Sequence, residues 1–186
     1  MKRMLALTAL MLGMTGCSIE NAPIDRALSF RSDLLSGEGC SYGAEVTADY
    51  GDELYVFSMD CRGTAGGDVT FTVTGPEVIS GISGTVSNDG GTLTFEDTTL
   101  HFGLLTDDQL SPVSGPWIFL RTLRSGCISS ACVEEQLLHI TADDSYADDA
   151  LTLDIWLDGE NRPVGADVLY DGKRILSMKI ENFTLL

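Results

Sequence analysis

The sequence predicts an α+β domain built on antiparallel strands. Three observations carry that reading. Apolar residues recur at helical spacing over 23–36 and then switch to a period of two. Short alternating runs follow one another, separated by glycine-rich turn signals. One stretch bounded by Pro and Gly, 107–126, interrupts the alternation and returns to helical spacing. No internal repeat is visible. The plan is a helix, about six strands, a central helix and about four more strands.

The first helix is PIDRALSFRSDLLS, residues 23–36. Pro23 suits a first helical position, where a missing N–H costs nothing. Ile24, Ala27, Leu28, Leu34 and Leu35 recur at helical spacing, and Gly37 and Gly39 end the run. In GAEVTADY, Ala44, Val46, Ala48 and Tyr50 face one way. Gly51-Asp52 turns the chain into ELYVFSMDC, where Tyr55, Phe57 and Met59 oppose Leu54 and Val56. DVTFTVTG alternates through Val69, Phe71 and Val73, and short strands continue through VISGISGTV, GTLTFED and TLHFGLL. Turns fall at Gly66-Gly67, Gly75-Pro76 and Asn88-Asp89-Gly90-Gly91.

The central helix lies in DDQLSPVSGPWIFLRTLRSG. Ser114 marks its N-cap region, Pro116 a first position and Gly126 a stop, with Arg121 and Arg124 toward the C-terminus, where cations suit the helix dipole. Trp117, Leu120 and Leu123 can share a face. After it, VEEQLLHIT is a less regular strand and LTLDIWLD a regular one through Leu151, Leu153, Ile155 and Leu157. PVGADVLY and RILSMKIENF close the chain around Asp171-Gly172.

The first twenty residues give an address. Lys2 and Arg3 precede about thirteen mostly apolar residues, 4–16, too few for a membrane-spanning helix. Met14-Thr15-Gly16-Cys17 resembles a bacterial lipobox. That resemblance implies a signal peptide over 1–16, removed before a lipidated Cys17. Residues 17–23 then form a short tether and 24–186 one domain. Two or three acyl chains anchor firmly, since each buried CH₂ contributes about 0.8 kcal/mol. The expected location is extracytoplasmic: the outer face of the cytoplasmic membrane, or the outer membrane in a Gram-negative cell.

Composition narrows the partners. The chain carries 11 basic and 28 acidic residues, a formal charge of −17. Such a surface repels nucleic acid and anionic headgroups. A hydrophobic fraction of 44 % argues for a packed domain and against an acidic disordered tail. In an oxidising compartment the remaining Cys40, Cys61, Cys127 and Cys132 read first as two disulfides. Cys40 and Cys61 flank a hairpin turning near Gly51. Cys127 and Cys132 bound CISSAC, which reads as a tight loop.

Chemistry is sparse. GCSYG fits G-x-S-x-G, but a helix precedes it and a strand follows, the reverse of a nucleophile elbow. DDSYADD clusters Asp143, Asp144, Asp148 and Asp149 without EF-hand spacing, and reads as a solvated turn. There is no CxxC, and His101 and His139 lie in unrelated patterns, so neither a metal nor a cofactor is expected. His139 reads as structural and the chain as no enzyme.

The closing LDIWLDGENRPVGADVLYDGKRILSMKIENFTL resembles the final hairpin of LolA-like proteins, the lipoprotein-carrier superfamily. LSPVSGPWIFL resembles the helix that interrupts their sheet. The resemblance implies a strongly curved antiparallel sheet, an unclosed half-barrel. Its concave face would be covered by the N-terminal and central helices. It implies a cavity for a lipid, an acyl chain or another apolar ligand, bordered by Trp117, Phe119 and Leu120 and by Phe57, Met59 and Phe71. It departs from a shuttling carrier in being anchored, and no basic cavity residue is matched. The alternative is an envelope or sporulation/germination lipoprotein that binds a protein partner, with its cavity filled by its own side chains.

Overall fold

The computed structural model describes residues 22–51, 53–103, 105–106, 109–147 and 149–186. Cys17 and the expected signal peptide, 1–16, lie outside the described residues. Helix α1 spans Pro23–Ser36, with Pro in its first turn. It buries Ala27, Phe30 and Leu34, whereas Ile24, Leu28 and Leu35 of the expected apolar set are exposed.

The strands that follow are β1 (Gly39–Asp49), β2 (Leu54–Thr64), β3 (Val69–Gly75), β4 (Ser83–Ser87), β5 (Gly90–Phe95) and β6 (Thr98–Phe102). A small hairpin, β7 (Leu105–Thr106) and β8 (Gln109–Leu110), and a 3-10 turn, Pro112–Ser114, lead into helix α2, Gly115–Ser125. Five strands complete the chain: β9 (Cys127–Glu134), β10 (Leu137–Asp143), β11 (Thr152–Leu157), β12 (Pro163–Tyr170) and β13 (Lys173–Leu185). Beyond the expected plan are the short β7 and β8 and, after α2, β9, in the place expected to hold a tight loop.

Eleven strands form one sheet in the order β6-β5-β4-β3-β2-β1-β13-β12-β11-β10-β9, every pairing antiparallel. β6 and β9 are free edges, so the barrel is unclosed. The sheet is strongly curved. α2 touches both β3 and β10, which are six strand spacings apart, about 29 Å in a flat sheet. A helix about 10 Å across reaches both only if the sheet wraps around it.

Alternation fills the concave side. Val46, Ala48, Leu153, Ile155, Leu157, Val168 and Leu176 are fully buried there. α2 is buried almost all round, through Trp117, Ile118, Phe119, Leu120 and Leu123. The Tyr42 ring meets Phe119 edge-on at 5.6 Å, and its hydroxyl donates to the Pro116 carbonyl at 2.9 Å. From α1, Arg31 donates to the carbonyls of Leu123 and Thr122, at 2.7 and 3.3 Å. A cation thus satisfies two carbonyls in the last turn of α2, where the dipole favours it.

The expected disulfides are not formed; all four thiols are free. Cys127 and Cys132 lie on one strand, β9, with their Cα atoms about 16 Å apart by strand rise, against a bridging limit near 7 Å. The register of β1 and β2 sets Cys40 opposite Gly63 and Tyr42 opposite Cys61. Cys40 and Cys61 are therefore diagonal neighbours, about 7–8 Å apart, and do not face each other.

Candidate functional site

The inward row of β1 continues past Ala48 to Tyr50, and that of β2 begins near Phe57. Among the described residues, no side chain of α2 lines this end of the hairpin; those of Leu110–Val113, just before α2, do. The result is an open cleft of about 460 Å³. Phe57 and Val73 form its floor, Ile79, Ile82 and Leu93 one wall, and Leu110, Pro112 and Val113 the other. That volume lies within the range of about 300–1,000 Å³ usual for small-molecule sites.

Polar groups stand at the mouth. The Tyr50 hydroxyl donates to the Leu110 carbonyl, tying the hairpin to β8. Burial pushes the Tyr50 phenol up to about 12, so it remains a neutral donor. The Tyr55 hydroxyl donates to the Glu53 carboxylate. The Tyr50 and Tyr55 rings stand 6.2 Å apart at 60°. Among the described residues, Glu53 is the one charged side chain in the lining, and it makes the mouth negative. The described lining is mostly apolar side chains, with Tyr50, Tyr55, Glu53 and Ser111 at its polar edge.

Of the residues expected to line a cavity, Phe57 does so. Met59, Phe71, Trp117, Phe119 and Leu120 are buried in the packed core. Where α1 and the end of α2 meet the sheet, a cavity of only about 10 Å³ remains among Ala27, Phe30, Leu123 and Ile140. The lining that sequence reasoning missed comes from a second 3-10 turn, Glu77–Ile79, from Ile82 just before β4, from β5 and from the Pro112–Ser114 turn. Ile79, Ile82 and Val113 sit among glycines, serines and prolines, where no periodicity marks a face, while Leu93 lies in the expected strand GTLTFED without a signal for which of its faces turns inward.

Two other features stand apart. A recess of about 410 Å³ has a mixed lining, with Asp158, Arg162 and Asn182 beside Ile180 and Phe183. Asp158 is spent internally, accepting from the backbone and guanidinium of Arg162. On the outer face of the sheet, Cys132, Glu134 and His139 bring three donor atoms of metal-binding type within 4.8 Å of one another.

Fold and cleft together define a helix-covered half-barrel with one apolar recess at its end. Several solved structures are similar to it. An uncharacterised conserved protein from Thermus thermophilus has TM-score 0.47 and 10 % identity over 88 % of this chain and 87 % of its own. A LolA superfamily protein from Nitrosomonas europaea has TM-score 0.45 and 8 % identity over 86 % of this chain and 93 % of its own. The Mycobacterium tuberculosis lipoprotein LppX has TM-score 0.42 and 15 % identity over 87 % of this chain and 92 % of its own. No family model and no curated protein matches the chain.

Proposed function

We propose that the chain is a non-catalytic, extracytoplasmic lipoprotein, tethered by lipid on Cys17, that holds an acyl chain or similar apolar molecule in the Phe57–Val113 cleft. One observation carries the reading: the space that a self-packed scaffold would fill is open and apolar-walled at about 460 Å³. The acidic surface and Glu53 at the mouth favour a neutral or cationic headgroup, or one left outside the rim. The short stretch from Cys17 to Pro23 would keep the cleft near the membrane.

Two measurements test the two halves of the proposal. Native mass spectrometry of the purified chain, with neutral lipids and phospholipids added, is expected to show a one-to-one adduct. Absence of any adduct contradicts the ligand. Cys17→Ala is expected to leave the membrane fraction as an intact domain. Retention of that variant contradicts the anchor.

A further inference from the structure

We propose that Cys132, Glu134 and His139 form a binding site for a zinc-type divalent cation on the outer face of the sheet. The ladder assembles it. Cys132 on β9 lies directly opposite His139 on β10, and Trp156 on β11 lies opposite His139 on its other side. Glu134 is two residues along β9 and so shares the face of Cys132.

The donor spacing fits tetrahedral coordination. Cys132 Sγ stands 3.9 Å from His139 Nδ1 and 3.5 Å from Glu134 Oε1, and His139 Nδ1 stands 3.5 Å from Glu134 Oε2. Zinc bonds of about 2.3 Å to sulfur and about 2.0–2.2 Å to nitrogen and oxygen, at tetrahedral angles, separate such donors by about 3.4–3.6 Å. Glu134 turns a different oxygen to each partner, so a rotation of its exposed carboxylate, with closure at the sulfur, is needed to bring one oxygen, Sγ and Nδ1, which lie within 4.8 Å of one another, onto one ion.

A second, independent arrangement points the same way. His139 Nε2 lies 3.0 Å from Asp154 Oδ1. A carboxylate accepts, so Nε2 carries a proton, and in the neutral imidazole Nδ1 then presents its lone pair toward Cys132 and Glu134. Thr141 Oγ1 donates to the same Asp154 oxygen at 2.8 Å. The Trp156 indole stacks on the imidazole at 5.0 Å and 9°. The ring is thus held in position and tautomer, as carboxylate–histidine–metal arrangements require. Cys132 and Glu134 are exposed, which leaves a fourth position for water. On binding, the thiol proton of Cys132 passes to solvent and the thiolate ligates. Three donor types at one point suit a borderline cation such as zinc better than calcium or magnesium, which take oxygen.

The test is a titration of the reduced full chain with Co²⁺ as spectroscopic probe, followed by displacement with Zn²⁺. One equivalent is expected to raise a thiolate-to-cobalt charge-transfer band, which zinc abolishes. Cys132→Ser is expected to remove the band, and Asp154→Asn to weaken binding about 10–100-fold. Cys127→Ser is expected to leave it unchanged. Glu134→Gln changes an exposed side chain and weakens binding without touching the core. No charge-transfer band, or a band that survives Cys132→Ser, overturns the site. Val113→Trp fills the cleft on the other face and is expected to leave cobalt binding intact, so this test is independent of the apolar-ligand reading.

Discussion

Cys40 and Cys61 occupy core positions beneath α2, the first beside Gly63, where an added Cβ would meet Leu120 at 2.3 Å. Burial pushes the Cys40 thiol up to about 11 from 9.0, and raises Cys61 still further. Burial likewise holds the Tyr42 phenol well above 10.0. In the folded chain these groups stay neutral, while in the unfolded chain the thiols ionise from about pH 9. Their contribution is therefore complete below pH 9 and lost as pH rises through 11. The melting temperature is expected to fall over that range. A Cys40→Ala, Cys61→Ala chain is expected to melt lower at pH 7.5, with the gap narrowing by pH 10.5. A constant gap in calorimetry contradicts the assignment. The same two positions show a limit of residue-level reading. Their proximity was legible from hairpin spacing, but a two-residue offset in register separates facing from diagonal, and only the ladder fixes it.

Among the elements, legibility follows the turn chemistry. α1 and α2 announce themselves through Pro at the start and Gly at the stop, and both fall where the sequence places them. The β12–β13 hairpin is marked by Asp171-Gly172, both at positive φ. The β9–β10 hairpin turns instead through Glu135 and Gln136, at φ of 48° and 72°. Neither residue signals such a turn, so CISSAC reads as a loop and β9 goes unseen. Missing that hairpin hides the metal cluster too, because it forms only when Cys132 pairs with His139. Left-handed backbone at a residue with a Cβ costs about 1–2 kcal/mol. Glu135→Asn with Gln136→Gly is expected to stabilise the fold by about 1 kcal/mol, read as a higher urea midpoint at unchanged slope. A lower midpoint contradicts a strained turn. The helix faces were only half legible: α1 buries Phe30 and exposes Leu28 and Leu35, since its contacts with β1, β9 and β10 select the face.

For the whole molecule, curvature separates a packed half from an open one. Where α1 and α2 fill the concave side, the core is closed through Trp117, Phe119 and Leu120. Beyond the start of α2 the sheet runs on uncovered, and Tyr50, Phe57, Leu93 and Val113 border free space. Alternation in the sequence tells which residues face inward, but not whether a neighbour fills the space above them. That depends on where α2 begins relative to the β1–β2 hairpin. The central claim is that this space holds an apolar ligand, and a cleft-filling substitution tests it most directly. A fluorescent acyl-chain probe with a neutral headgroup is titrated against the native chain and against Val113→Trp and Leu93→Trp. The account predicts saturable one-to-one binding to the native chain. It predicts affinity weaker by about tenfold or more in both variants, about 1.4 kcal/mol, at little change in melting temperature. Equal affinity in all three chains, or no saturable binding to the native one, would contradict it.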